Sequence, residues 1–223
     1  MKTLLSWSSG KDSAWALYLL QQDARYNVAG LLTTLNSAFD RVAMHSTQRS
    51  VLEAQADAAN LPLHAVPLPW PCSNAEYESA MRSAHEAAVA DGVESIAFGD
   101  LYLEDVRRYR EDLLRGTGLT PIFPLWGLDT RQLLATMISS GLEARIVCLD
   151  PKKLPASFAG RALDAAFVHD LAQNFPDVDP CGENGEFHTC VTAGPMFRHA
   201  LSVTTGETVE RDGFVFSDVV PAV

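Results

Sequence analysis
Five short apolar runs divide the first 123 residues, at 4–7, 27–34, 63–67, 95–98 and 119–123, and segments of helical pattern lie between them. Strands joined by crossovers of this length pair in parallel, and the crossovers are right-handed. The alternation therefore predicts one parallel sheet of five strands with helices on its faces. In the helix expected over 47–60, Val51, Leu52, Gln55, Ala58 and Ala59 share one face and leave Arg49, Glu53 and Asp57 to solvent. An alanine-rich helix over 74–91 stops at Gly92, and a charged helix follows over 104–115. After Pro124-Leu125-Trp126 the rhythm changes. Asp129 caps a helix over 130–140, and short strands are expected at 144–148, 186–192, 200–204, 208–211 and 214–216, with a further helix within 163–174. The expected fold is α/β: a Rossmann-like domain with a parallel five-stranded sheet over residues 1–125, and a second, smaller α+β domain over 126–223.

Sheets of this kind bind ligands beyond the carboxyl ends of their strands, where the strand order reverses. Three stretches lie at such ends: Ser8-Ser9-Gly10-Lys11-Asp12-Ser13, Thr33-Thr34 and Gly99-Asp100. The first follows a strand and opens into a helix. It directs backbone N–H groups and the positive end of a helix dipole at one point, and Lys11 adds a full charge there. The natural occupant is a phosphate. The stretch is not a Walker A loop, because Leu5 stands where the first glycine would be and Asp12 follows Lys11 in place of Ser or Thr. No G-x-G-x-x-G follows the strand, which excludes the dinucleotide fingerprint. A capped βα turn with Asp12 or Ser13 as the cap is the plainer alternative.

Lys and Arg number 17 against 28 Asp and Glu, a formal net charge of −11. Such a surface makes nucleic acid and anionic membranes poor partners, while a nucleotide can still be held by a few local donors. No run approaches the ~18 apolar residues of a membrane span, and the opening apolar run is too short for a secretion signal. A cytoplasmic protein is expected. Cys72, Cys148, Cys181 and Cys190 form no C-x-x-C pair and fit reduced thiols.

The densest chemistry in the second half is Asp179-Pro180-Cys181-Gly182-Glu183-Asn184-Gly185-Glu186-Phe187-His188-Thr189-Cys190. Its glycines let backbone approach a ligand, and Glu183 and Asn184 offer acceptors and donors. A polar turn entering a strand, with Glu186 and His188 on a solvated face, is the plainer reading. The spacing of its thiols, carboxylates and imidazole matches no zinc pattern.

Together, residues 8–13, Pro124-Leu125-Trp126, the Cys181 to Thr189 segment and Gly194-Pro195-Met196-Phe197 resemble the diphthine-ammonia ligase family. That family belongs to the N-type ATP pyrophosphatases of HUP-type, adenine nucleotide alpha hydrolase-like fold, and the resemblance covers nearly the whole chain. It implies ATP-dependent amide synthesis. A carboxylate attacks the α-phosphate of ATP, pyrophosphate leaves, and ammonia displaces AMP from the acyl adenylate. On this resemblance Ser8, Ser9, Gly10, Lys11, Asp12 and Ser13 hold the phosphates, and Thr33, Thr34, Gly99 and Asp100 flank adenine and ribose. Asp12 would hold Mg²⁺, and Arg107, Glu183, Asn184 and Glu186 would face the acceptor. The implied catalytic residues are Lys11 and Asp12, which stabilise charge on the departing pyrophosphate, and Glu183 and Glu186, either of which can take the proton that ammonia loses.

Two departures from the family pattern stand out. Ser9 replaces a glycine, so a left-handed backbone at that position would be strained. The helix at 104–111 keeps only Arg107 and Glu111 of the family's run, and otherwise reads as a solvated helix with pairs such as Glu104 with Arg108 and Arg107 with Glu111. The acceptor is therefore open between diphthine and a small carboxylic acid. His45 lies in a loop able to close over a nucleotide, although a lone histidine is more often structural. The implied partners are ATP, ammonium and a carboxylate acceptor, with homodimerisation an open expectation. Two other functions fit parts of the sequence. One is an adenine-nucleotide-binding regulatory module of the same superfold. The other is a tRNA-modifying relative, which calls for a basic surface and a cysteine pair that this chain lacks.

Overall fold
The computed structural model describes residues 1–42 and 45–222. In chain order the first half runs β1 (Lys2–Ser6), α1 (Lys11–Gln22), β2 (Asn27–Asn36), β3 (Arg41–Val42), α2 (Arg49–Ala59), β4 (Leu63–Leu68), α3 (Asn74–Ala90), β5 (Ser95–Ala97), α4 (Glu104–Leu114) and β6 (Thr120–Ile122). Five of these strands pair in parallel in the order β4-β2-β1-β5-β6, as the apolar alternation predicts. The chain moves outward through β2 and β4, then crosses to β5 and β6 on the other side of β1. The order thus reverses at β1, and a crevice opens beyond the carboxyl ends of β1 and β5. β3 is an addition. It sets Val42 and Arg41 antiparallel to Leu35 and Asn36, and two residues are too few to produce a period-two signal.

The second half contains α5 (Thr130–Ser139), β7 (Glu143–Leu149), α6 (Ala165–Asn174), β8 (Phe187–Ala193), β9 (Val203–Arg211) and β10 (Phe214–Pro221). The strands form an antiparallel sheet in the order β8-β7-β10-β9. Asp129 caps α5 as expected, its carboxylate accepting the Gln132 N–H at 2.9 Å. The two strands expected at 200–204 and 208–211 are one strand, β9. Thr205-Gly206-Glu207 reads as a turn, but Gly206 lies against Asp218, where a Cβ would come within 3.0 Å of the Asp218 Cβ. The register with β10 shifts between Ser217 and Val219 at that point, so the glycine serves a close approach inside the sheet.

Helix α1 joins the halves. Seven of its 12 residues are buried, among them Lys11, Trp15, Leu17 and Leu20. A helix buried on more than one side must pack against two layers, and α1 contacts β1 and β2 on one side and β8 on the other. One hydrophobic cluster therefore runs through both halves, from Leu5, Leu17 and Leu31 to Met137, Ile146, Phe167, Phe187 and Val215. Each such side chain contributes about 1.5–3 kcal/mol when fully buried, so separating the halves would expose the centre of the core. The Arg41 guanidinium pairs with the Asp218 carboxylate and the Gln48 amide donates to it at 3.1 Å, which ties the entrance of α2 to β10. The walls of the crevice are fixed by this shared packing.

Candidate active site
A cavity of about 250 Å³ opens at the point of strand-order reversal. Ser6, Ser8, Lys11, Asp12 and Ser13 line it from β1, the following turn and the start of α1. Phe98, Gly99 and Asp100 enter from the end of β5, and Arg110 from α4. The second half contributes Cys181, Gly182, Glu183, Phe187, His188 and Thr189, and His45 completes the lining. The phosphate-type turn and the acidic turn, about 170 residues apart in the chain, thus face one space.

The turn is shorter than its sequence suggests, because α1 already begins at Lys11 with Gly10 as its N-cap. The backbone N–H of Gly10 donates to Ser8 Oγ at 3.3 Å, and that of Lys11 to Thr189 Oγ1 at 3.0 Å. Ser13 Oγ donates to the Gly10 carbonyl at 3.0 Å and lies 3.2 Å from Ser8 Oγ. Gly99 is required by its surroundings. A Cβ there would stand 2.8 Å from the Asp12 carbonyl carbon and 2.9 Å from the Ser13 nitrogen, so the end of β5 presses directly on the α1 backbone.

Ser9 has φ of 73°, the left-handed conformation that its glycine-like position demands. That backbone costs a non-glycine residue about 1–2 kcal/mol. Ser9 Oγ lies 2.7 Å from Thr47 Oγ1, a buried hydrogen bond that offsets the strain. Its carbonyl accepts from the Val191 N–H at 2.9 Å and from Gln55 Nε2 at 3.1 Å. Gln55 is fully buried and also accepts from Trp7 Nε1 at 2.9 Å. Ser9→Ala keeps the strain and loses the bond, whereas Ser9→Gly loses both. Urea unfolding should place the alanine variant about 1–2 kcal/mol below the glycine variant; equal stabilities would show that the left-handed strain is not what distinguishes them.

Lys11 is buried, and its ammonium donates to Asp12 Oδ2 at 2.8 Å and to the Cys181 carbonyl. Burial works against its charge, but Asp12 foremost, with further acidic neighbours, holds its pKa above the ordinary lysine value. Asp12 Oδ1 is buried and has no hydrogen-bond partner among the described residues. A carboxylate oxygen left in this way beside a phosphate turn fits a hard cation, which in nucleotide sites takes one or two carboxylates plus phosphate oxygens. Asp100 and Arg110 face each other at 3.5 Å, and Arg110 also lies over the Phe98 ring at 5.2 Å. Burial raises the Asp100 carboxyl against the opposing pull of Arg110.

Glu183 accepts the Leu101 N–H at 2.9 Å, which bridges the acidic turn to the end of β5. Burial pushes its carboxyl up to about 7, partly opposed by that hydrogen bond. His45 and His188 pack ring to ring at 4.6 Å. Burial, with the neighbouring imidazole as the second cause, lowers His45 to about 3, and burial, aided by Lys11, lowers His188 to about 4.

The remaining residues singled out in the sequence lie outside the lining. Ser9 and Gly10 shape the turn from behind, and a Cβ on Gly10 would meet the His45 ring at 2.8 Å. Thr33 is buried in β2 opposite Ala65, its hydroxyl without a hydrogen-bond partner among the described residues, and Thr34 lies opposite Val66. Glu186 is buried rather than on a solvated face, and Oε1 accepts from the Asp179 N–H and from Asn184 Nδ2, each at 3.2 Å. Glu186 and Asn184 thus brace the turn that presents Glu183. Arg107 pairs with Glu111 at 2.8 Å and stacks on Phe123 and Trp126 at 4.9 and 4.7 Å, in a separate surface groove with Asp23, Arg25 and Tyr26. Arg110, three residues further along α4, is the arginine that reaches the cavity.

Arg110, His188 and His45 are the titratable lining residues with basic side chains that the sequence did not assign a site role. His188 carried a signal, since it alternates with buried Phe187 and Thr189 in β8 and so faces the other way. His45 was placed in a loop able to close over a nucleotide, but no periodicity governs the segment between β3 and α2 that would have told this role from a structural one.

The model of the diphthamide synthase N-terminal domain matches residues 1–121, and that of the C-terminal domain matches residues 129–218. This chain belongs to the diphthamide synthase family. Within that family it is similar to the diphthine-ammonia ligase of Bos taurus, 27% identical over 234 residues that cover 95% of this chain and 86% of the relative. The Homo sapiens ligase is 29% identical over 152 residues, 66% of this chain and 56% of the relative. The Danio rerio ligase is 31% identical over 131 residues, 57% of this chain and 51% of the relative. The matches thus span only about half the length of the latter two relatives. Among the described residues, no helix of this diphthamide synthase family member is long and apolar enough to cross a membrane.

Proposed function
We propose that this chain is an ATP-dependent, AMP-forming ligase that activates a carboxylate and passes the acyl group to ammonia; the name of its relatives states for them the ligation of diphthine and ammonia. The observation that carries this reading is the meeting of Lys11 and Asp12 with Glu183 in one cavity at the strand-order reversal. Residues 1–125 would hold the nucleotide and residues 126–223 would complete the acceptor side. Ser8 and Ser13 would donate hydroxyls to phosphate oxygens, and Gly99 and Asp100 would lie against the nucleoside. Lys11, its charge sustained by Asp12, would stabilise the negative charge that grows on departing pyrophosphate. Asp12 would hold Mg²⁺ through its unpaired oxygen, and that ion, when bound, neutralises phosphate charge.

Glu183 suits the last step. Ammonia is delivered largely as ammonium near neutral pH, and a carboxylate with a pKa near 7 can take its proton and hold the nucleophile beside the acyl carbon. Glu186 and Asn184 support Glu183 from within the turn. The braced position of Glu186 favours Glu183 as the proton acceptor. The protein would act in the cytoplasm, where its four thiols, all free, stay reduced.

The test is release of pyrophosphate from ATP with ammonium and a pool of carboxylic acids that includes a diphthine-bearing protein. Release that requires both ammonium and an acid supports the ligase. ATP binding without acid-dependent release points to a nucleotide-binding module, and dependence on added tRNA points to a tRNA-modifying enzyme.

The pH profile tests Glu183 separately. The base works ionised, so kcat/KM should rise with pH through about 7, and Glu183→Gln should flatten that rise and lower the plateau about 10²-fold. Stability should move the opposite way. A carboxyl whose folded pKa is raised stabilises fully below its ordinary value and loses that contribution as pH climbs through about 7. Between pH 4.5 and 8 the natural protein should therefore lose stability relative to Glu183→Gln.

A further inference from the structure
We infer that His45 and His188 form the polyphosphate-binding wall of the cavity and make it select a di- or triphosphate over a monophosphate. The inference rests on the proposed use of ATP and adds two residues to it. Both imidazoles line the same space as Ser8, Lys11 and Ser13. They reach it from different elements, His45 from the segment before α2 and His188 from β8, and their rings meet at 4.6 Å.

Several other donors in the cavity are engaged, while Arg110 Nε, 3.5 Å from Asp100, has no hydrogen-bond partner among the described residues. The Lys11 ammonium is held by Asp12 and the Cys181 carbonyl, the Lys11 N–H by Thr189 Oγ1, and the Gly10 N–H by Ser8 Oγ. The fixed charges facing the imidazoles are also unfavourable to an anion. Lys11 on α1 and Arg110 on α4 stand against Asp12 on α1, Asp100 after β5 and Glu183 before β8, two cations against three carboxylates. A polyphosphate brings several negative charges into this space, and some group must compensate them.

The two imidazoles can do so. His45 Nδ1 lies 3.2 Å from the Thr189 carbonyl, which can only accept, so Nδ1 carries a proton and Nε2 remains for the ligand. Among the described residues neither ring nitrogen of His188 has a hydrogen-bond partner. Burial keeps both rings neutral beside Lys11, and an entering polyanion opposes that balance, so one ring of the pair can take a proton and donate it to a phosphate oxygen while the other donates as a neutral imidazole. A monophosphate has too little charge to require this.

The experiment is calorimetric titration of the intact chain at pH 7 with inorganic pyrophosphate and with AMP, in buffers of low and high ionisation enthalpy. The natural protein is compared with His45→Gln, His188→Gln and His188→Asn, each first checked for a natural melting profile. Pyrophosphate affinity should fall about 10- to 100-fold in each variant, while AMP affinity changes less than about twofold. Protons taken up with pyrophosphate by the natural protein should fall in the variants, an effect that a merely structural role would not produce. Pyrophosphate binding equal to the natural protein's in the folded variants, or equal losses for AMP and pyrophosphate, overturns the inference and leaves the ligase reading standing. A natural protein that binds neither pyrophosphate nor ATP overturns both.

Discussion
Lys11→Met should lower turnover at saturating ATP by about 10³-fold, with a much smaller change in the affinity for AMP. The natural lysine concentrates three duties in one buried ammonium. On the proposed mechanism it meets the developing charge of the leaving pyrophosphate; in the structure it neutralises Asp12 at 2.8 Å and bonds the Cys181 carbonyl of the acidic turn. Methionine matches its length and apolar stem but supplies no charge. Removing one partner of a buried pair leaves the other uncompensated, at a cost of about 3–5 kcal/mol, so the variant should also unfold at lower denaturant. Single-turnover pyrophosphate release separates the two effects, since a folded but inactive enzyme binds AMP and releases nothing. A variant with natural turnover would remove Lys11 from the chemistry.

Gly99→Ala should be the most damaging single-methyl addition in the cavity. The new carbon would lie 2.8 Å from a backbone carbon of Asp12 and 2.9 Å from the backbone nitrogen of Ser13. Neither can yield without moving the first turn of α1, which carries the phosphate-facing groups. Overpacking of this kind costs about 1–3 kcal/mol, or several degrees of Tm for a chain of this size, and ATP binding should fall with it. Gly10→Ala is the control. Its closest approach, also 2.8 Å, is to the tip of the His45 ring, and main chain comes no nearer than the Thr189 carbonyl at 3.2 Å, so it should lose less stability. Thermal unfolding of the pair decides the matter: equal losses would mean that main-chain contact at Gly99 is not what makes that position intolerant.

The parallel sheet was legible in the sequence because its central strands β1 and β5 are buried and all five read as short apolar runs separated by helical segments. Residues 8–13 could be placed at a strand end for the same reason, and the left-handed conformation of Ser9 was foreseeable from a serine in a glycine's place. What remained hidden depended on side-chain reach. Arg107 and Arg110 are equivalent in a charged helix until tertiary packing turns one onto Phe123 and Trp126 and the other onto Asp100. Glu183 and Glu186 are likewise equivalent in a polar turn until one carboxylate bonds across to Leu101 and the other bonds back to Asp179. No local pattern encodes such a choice, because the partners lie far away in the chain.

The bonds from β8 to the turn at residues 8–11 reach across 178 positions or more, with Thr189 accepting from Lys11 and Val191 donating to Ser9. Contacts of such sequence separation form late in folding, after the local elements. A chain emerging from the ribosome can therefore assemble β1, α1 and the strands beside them without giving the turn its final shape. Competence to handle ATP arrives only when β8 has docked, together with the turn that carries Glu183. On the proposed function, the fold makes nucleotide use contingent on a finished second half.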